Sequence, residues 1–136
     1  MIKVYTNNPQ DHLDAIIAAA KSSGATSQTW AYRDHTVTFT RDGEKREEIF
    51  PAIYHKTSDK QWVKKGEFLC VASDDNDSED DHVSFVFRWT PNGPKESSAA
   101  ENLHGRLISN LMTYFRKQPD FKSIEITIPD WLAKLD

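Results

Sequence analysis

The sequence predicts a single α+β domain over residues 1–136: a largely antiparallel sheet of about six to seven strands, with two amphipathic helices packed on one face. Three observations predict it. One helical stripe lies near each end of the chain, a long stretch of period-two alternation separates them, and short alternating segments open and close the sequence. The element order is therefore β-α-β(about five)-α-β, a segregated arrangement that favours antiparallel pairing.

In order, MIKVYT alternates Ile2 and Val4 with Lys3 and Tyr5 and reads as a strand. Asn8 then stands at a capping position, Pro9 suits a first helical turn, and Asp11 meets the helix dipole. Leu13, Ile16, Ile17 and Ala20 give that helix one apolar face, and Gly24 supplies its stop. From about 27 to 90, the pairs Trp30/Tyr32, Val37/Phe39, Ile49/Ile53 and Phe68/Cys70, and the run Val83/Phe85/Phe87/Trp89, mark successive strands. Asp42-Gly43 is a two-residue hairpin signal. It sets Phe39 opposite Arg46 and Val37 opposite Glu48, pairings that suit a projecting hairpin better than a buried one. Pro51 marks an edge or a bulge.

Ser98 to Glu101 reads as a capping box for the second helix. Its expected buried stripe is Leu103, Leu107, Ile108, Leu111, Met112 and Phe115; its wet stripe is Asn102, Arg106, Ser109, Thr113 and Arg116. Pro119 ends it. Ile124, Ile126 and Ile128 then alternate with Glu125 and Thr127, a last strand with its isoleucines expected inward. The tail, pinned by Trp131 and Leu132, suggests a helical turn.

Composition narrows the function classes. With 38% hydrophobic and 28% charged residues, the 136-residue chain has a globular balance. Its one cysteine, Cys70, sits in an apolar run and excludes an internal disulfide. No stretch approaches the length of a bilayer span, and the first residues lack a signal-peptide pattern, so a cytoplasmic setting is expected.

The net charge of −4 is a local feature. Residues 1–73 hold ten Lys/Arg against nine Asp/Glu, and residues 83–136 hold seven against six. DDNDSEDDH, residues 74–82, supplies the other six carboxylates: Asp74, Asp75, Asp77, Glu79, Asp80 and Asp81. A calcium loop of the EF-hand type needs glycine at its sixth position and glutamate at its twelfth. Neither register of this run provides them. Two readings remain: a solvated connection between strands, or an electrostatic lure for a basic protein.

Other sites are weaker. His12, His35, His55, His82 and His104 form no metal-ligand spacing, so neither metal nor cofactor is expected. No nucleophile-elbow, P-loop or paired-cysteine motif is present. Lys56, Lys60, Lys64 and Lys65 surround Trp62, but the adjacent acidic run opposes a nucleic-acid partner.

The expected function is that of a small inhibitor of the bacterial immunity kind. It would neutralise a basic toxin domain, a nuclease being one candidate, as a monomer or in a heterodimer with that partner. The six carboxylates of the run would steer association, seconded by Glu47 and Glu48. The alternative is a small enzyme or ligand-binding domain with a pocket at His104 and Arg106 on the second helix. An acidic mimic of nucleic acid is weaker, because carboxylates outside the run are matched by bases.

Overall fold

The computed structural model describes residues 1–22, 30–55, 65–73, 80–90 and 95–133. They form β1 (Ile2–Thr6), α1 (Pro9–Lys21), β2 (Trp30–Arg41), β3 (Glu44–His55), β4 (Gly66–Ser73), β5 (His82–Trp89), α2 (Ser97–Phe115), β6 (Phe121–Ile126) and the short α3 (Asp130–Ala133). All six strands join one antiparallel sheet in the order β2-β3-β4-β5-β1-β6. The first strand is thus inserted between β5 and the last strand.

The predicted α+β architecture is the one observed, with one difference in the strand count. Trp30/Tyr32 and Val37/Phe39 belong to a single strand of 12 residues, so among the described residues four strands lie between the long helices. Period two identifies strand character but does not reveal whether neighbouring segments are continuous.

Register defines the two faces. Ile2 pairs with Phe85, Val4 with Val83, Cys70 with Phe85, Phe68 with Phe87 and Ile53 with Phe68, which places these side chains on one face. Both long helices close this face. Leu13 and Ala20 of α1, and Ala99, Ala100, Leu103, Leu107, Leu111 and Phe115 of α2, join the same buried cluster. Each large core side chain contributes roughly 1.5–3 kcal/mol of burial free energy. Cys70 is a buried member of this core, and burial pushes its thiol up to about 12.

The hairpin chemistry is as the sequence implies. Asp42 and Gly43 both take positive φ, 54° and 79°, and the register pairs Phe39 with Arg46 and Val37 with Glu48. Pro51 lies in an interior strand, not at an edge. It is tolerated because the β3–β4 register begins only at Ala52, opposite Leu69. Beyond that point β2 and β3 continue as a two-stranded arm whose residues 40–49 are all exposed.

Four local expectations are corrected. The capping box does not form: α2 starts at Ser97, and Glu96 supplies the carbonyl that receives the Ala99 and Ala100 N–H groups. Ser98 therefore falls inside the first turn, where its own carbonyl accepts from the Asn102 amide. Asn8 caps α1 by position but not by a side-chain bond, since its amide is engaged elsewhere. Met112 is 56% exposed, and Ile126 and Ile128 are 52% and 66% exposed, so the last strand and one edge of α2 are not covered. Gly24 lies outside the described residues.

The tail forms α3, with Trp131 stacked on Phe87 and meeting Trp89. No helix of the described residues is long and apolar enough to cross a membrane.

Two glycines should respond oppositely to alanine. A Cβ at Gly66 would overlap the Phe87 ring, whereas one at Gly105 meets nothing within 4 Å. In urea titrations, Gly66→Ala should lose about 1–3 kcal/mol to overpacking. Gly105→Ala should gain up to about 1 kcal/mol from helix propensity.

Candidate functional site

The chemistry-bearing side chains gather in two networks and one surface. The first network is built on Asp120, in the turn between α2 and β6. Its Oδ2 accepts from Thr6 Oγ1 at 2.6 Å and Asn8 Nδ2 at 3.0 Å, and both of its oxygens lie 2.9 Å from His12 Nε2. A carboxylate only accepts, so the His12 ring carries its proton on Nε2. Nδ1 of the same ring lies 2.9 Å from the Tyr114 hydroxyl. The donors hold the Asp120 carboxyl well below the usual carboxylate range, against the opposing effect of burial. Tyr114 is pushed the other way, by burial and then by the charge of Asp120. This Asp–His–Tyr chain links the start of α1 to the end of α2 and to the turn that follows it. It abuts a small cleft of about 220 Å³ between the two long helices, floored by Trp30 and Ile53.

The second network lies on the sheet face turned away from the helices. Glu67 is only 1% exposed, and its two oxygens accept separately from Arg33 Nε and from His35 Nδ1, the latter at 2.6 Å. Arg33 also covers the Tyr54 ring at 5.2 Å. Each oxygen of this buried carboxylate thereby has a donor, as burial of a polar group requires.

The pocket expected at His104 and Arg106 is divided. His104 lines a cleft of about 540 Å³ with Glu101, Gly105, Ile108, Ile126 and Pro129. Its Nδ1 donates to the Ala100 carbonyl at 2.7 Å, and the ring packs between Phe68 and Phe87. Burial lowers its pKa, so the imidazole is neutral with its Nε2 lone pair enclosed. Arg106 projects from the exposed face of α2 and is absent from that lining. The two residues do not form a site together.

The acidic surface is divided as well. Asp74, Asp75, Asp77 and Glu79 lie outside the described residues, as do Lys56, Lys60, Trp62 and Lys64. Asp80 is exposed, while Asp81 is buried, its carbonyl receiving the Thr6 N–H at 3.1 Å. Asp81 is thus removed from the set of steering carboxylates, because it belongs to the β1–β5 joint. Glu47 and Glu48 are exposed on the arm. Antiparallel registry turns the Glu44 end of β3 and the Ser73 end of β4 the same way, and Ser73 pairs with His82. The arm and the strand ends flanking the acidic run therefore share one end of the sheet.

Sequence reasoning missed both networks. Glu67 carried a signal: a lone carboxylate within the apolar run from Gly66 to Ala72 needs buried partners. Asp120 carried none, since its partners lie more than a hundred positions away. Among the described residues no cluster of His, Cys, Asp and Glu could hold a metal ion. Comparison with protein families, curated proteins and solved structures finds no match to this chain.

Asp120 gives a pH prediction. A carboxyl whose pKa is depressed by folding stabilises the protein above its unfolded value, about 4, and that contribution is lost as pH falls below it. Asp120→Asn should cost about 1–3 kcal/mol at neutral pH. Urea midpoints of wild type and variant should converge on acidification toward pH ~3.

Proposed function

We propose that this protein is a non-catalytic binding protein that docks a basic protein partner at the end of the sheet bearing the hairpin arm and the acidic run. The observation that carries this reading is the arm. Beyond Ala52, β2 and β3 leave the shared sheet and extend, exposed, past the strand ends that flank residues 74–79. Such a ribbon has no core of its own beyond that point, and marginal two-stranded ribbons are stabilised when a further surface covers them.

Two further facts support binding over catalysis. The described carboxylates capable of acid–base work, Glu67 and Asp120, are each consumed by internal donors. His104, the candidate base, is neutral, enclosed and has no acidic partner beside it in its hydrogen bonding. The proposed partner is a toxin domain in the same cytoplasm, with the acidic end of this protein laid over a basic substrate cleft. Asp74, Asp75, Asp77, Glu79 and Asp80 steer the encounter, and Glu47 and Glu48 extend the acidic surface along the arm. Charge of this kind accelerates association by concentrating the partner near its docking face.

The test uses tagged protein and the partner that co-purifies with it from the native host. Replacing Asp74, Asp75, Asp77 and Asp80 with Asn and Glu79 with Gln should slow association by about tenfold or more and flatten its salt dependence. Glu47→Gln with Glu48→Gln should act in the same direction and less strongly. A partner that binds the neutralised protein at an unchanged rate and salt slope would reject the acidic end as the docking surface.

A further inference from the structure

We propose that β6 is a dimerisation edge, at which two copies of this chain join antiparallel about a two-fold axis at Ile126. Three independent features of the β6–α2 border argue for a second copy as its occupant.

The first is the free backbone. Among the described residues β6 pairs only with β1, leaving its other side as an edge of the sheet. Thr127 exchanges both of its backbone groups with Met1, donating to the Met1 carbonyl at 2.9 Å and accepting from the Met1 amine at 2.7 Å. Alternate residues of a strand point their backbone groups to opposite sides. The N–H and C=O groups of Ile124, Ile126 and Ile128 therefore face outward, ready for another strand.

The second is register. Two copies of one strand related by a two-fold axis place some residue opposite itself. Centring on Glu125 would set two carboxylates face to face, a destabilising pair. Centring on Ile124 would set Ile126 opposite Lys122, where the strand is irregular between the Tyr5 and Thr6 pairings. Centring on Ile126 sets Ile124 opposite Ile128 and Glu125 opposite Thr127, every pair compatible. Pro129, with no N–H to offer, closes the ladder.

The third is the helix beside the strand. Glu101, Gly105, Ile108, Met112 and Arg116 form one stripe of α2 along the open groove. Its Glu101 end lies by Pro129 and its Arg116 end lies by Phe121, with Ile108 and Ile126 common to both halves. A two-fold axis at that midpoint brings Arg116 of each copy toward Glu101 of the other, and Met112 and Ile108 toward their counterparts. The stripe is acidic at one end, apolar in the middle and basic at the other, the pattern an isologous interface requires. Met112, Ile126 and Ile128, three of the six exposed large hydrophobic residues among those described, lie along this border. The opposite edge, β2, presents Arg33, Asp34, Thr36, Thr38 and Thr40 instead, a polar edge of the guarded kind.

The mass of the purified full chain, followed by sedimentation equilibrium over a concentration series, tests this. A monomer–dimer equilibrium is expected, and Ile126→Lys should weaken it by about tenfold or more, since the interface would bury an unpaired charge at its centre. Position 126 is half exposed, so folding should survive the change, as circular dichroism will check. Arg116→Glu should weaken the dimer, and adding Glu101→Arg should restore it. In a mild redox buffer, Ile126→Cys should give a disulfide-linked dimer, because directly opposed residues lie within bridging distance. Ile124→Cys should cross-link to Ile128→Cys and not to itself. A chain that stays monomeric at all concentrations, a dimer indifferent to Ile126→Lys, or self-cross-linking at 124 in place of 126 would overturn the proposal.

Discussion

The Asp120 carboxylate is the interaction on which the placement of the remaining elements depends. β1 lies in the sheet between β5 and β6, so the first strand has the last as one of its two neighbours. Asp120 stands at that return. It binds the end of β1 through Thr6, the entry of α1 through Asn8 and His12, and, by way of His12, the end of α2 at Tyr114. Thr6 and His12 are buried, so without this carboxylate their polar atoms would lose partners they cannot replace from solvent. One side chain thus resolves the hydrogen-bonding debt of three junctions. It also engages the carboxylate, the imidazole and the phenol in one hydrogen-bonded chain.

Glu67 applies the same logic to the other face. Helices close only one side of the sheet, and a carboxylate in the middle of β4 has to be satisfied on the far side by the strands themselves. Arg33 and His35, neighbours on alternating positions of β2, reach it across β3. The bond pattern ties the base of the hairpin arm to the centre of the sheet. An arm that projects freely beyond Ala52 is anchored at its base by two contacts to a fully buried carboxylate. Rigidity at the base and exposure at the tip suit a docking ribbon, since less ordering is left to be done on binding.

What could be read from the sequence follows the range of the interaction that specifies it. Helices, strands and the Asp42-Gly43 turn are written in contacts between residues a few positions apart, and they were legible. The sheet order was not, because it depends on pairings such as Val4 with Ile124. Ser98 and Glu101 show a different limit: a capping pattern fits any helix starting one residue away, and the Glu96 carbonyl took the role instead. Ile126 and Ile128 show a third. Alternation marks one face of β6 as apolar, but whether another element covers that face is a tertiary fact, and α2 leaves it open. Asp81 looked identical to its acidic neighbours, yet the joint with Thr6 buries it. Composition identified the acidic run and could not apportion it.

The frame has distinct ends as well as distinct edges. Strand polarity gathers the arm, Ser73, Asp80 and the Asp120 junction at one end. The Lys65 turn, the start of α2 and the tail lie at the other, where Lys65 pairs with Glu96 at 2.8 Å. Lys56, Lys60 and Lys64 belong in sequence to the connection that leads into Lys65, and the carboxylates of 74–79 to the connection that leaves Ser73. A single strand, β4, therefore separates the most basic connection of the chain from the most acidic one. Opposite charges that the sequence assigns to the two connections of one strand make a division that the formal net charge of −4 does not show. For the basic partner proposed above, such a division would select orientation in the encounter before any side chain makes contact. Charge that was evenly mixed would give the same net value and no such selection, so the division across β4 is what makes the acidity informative.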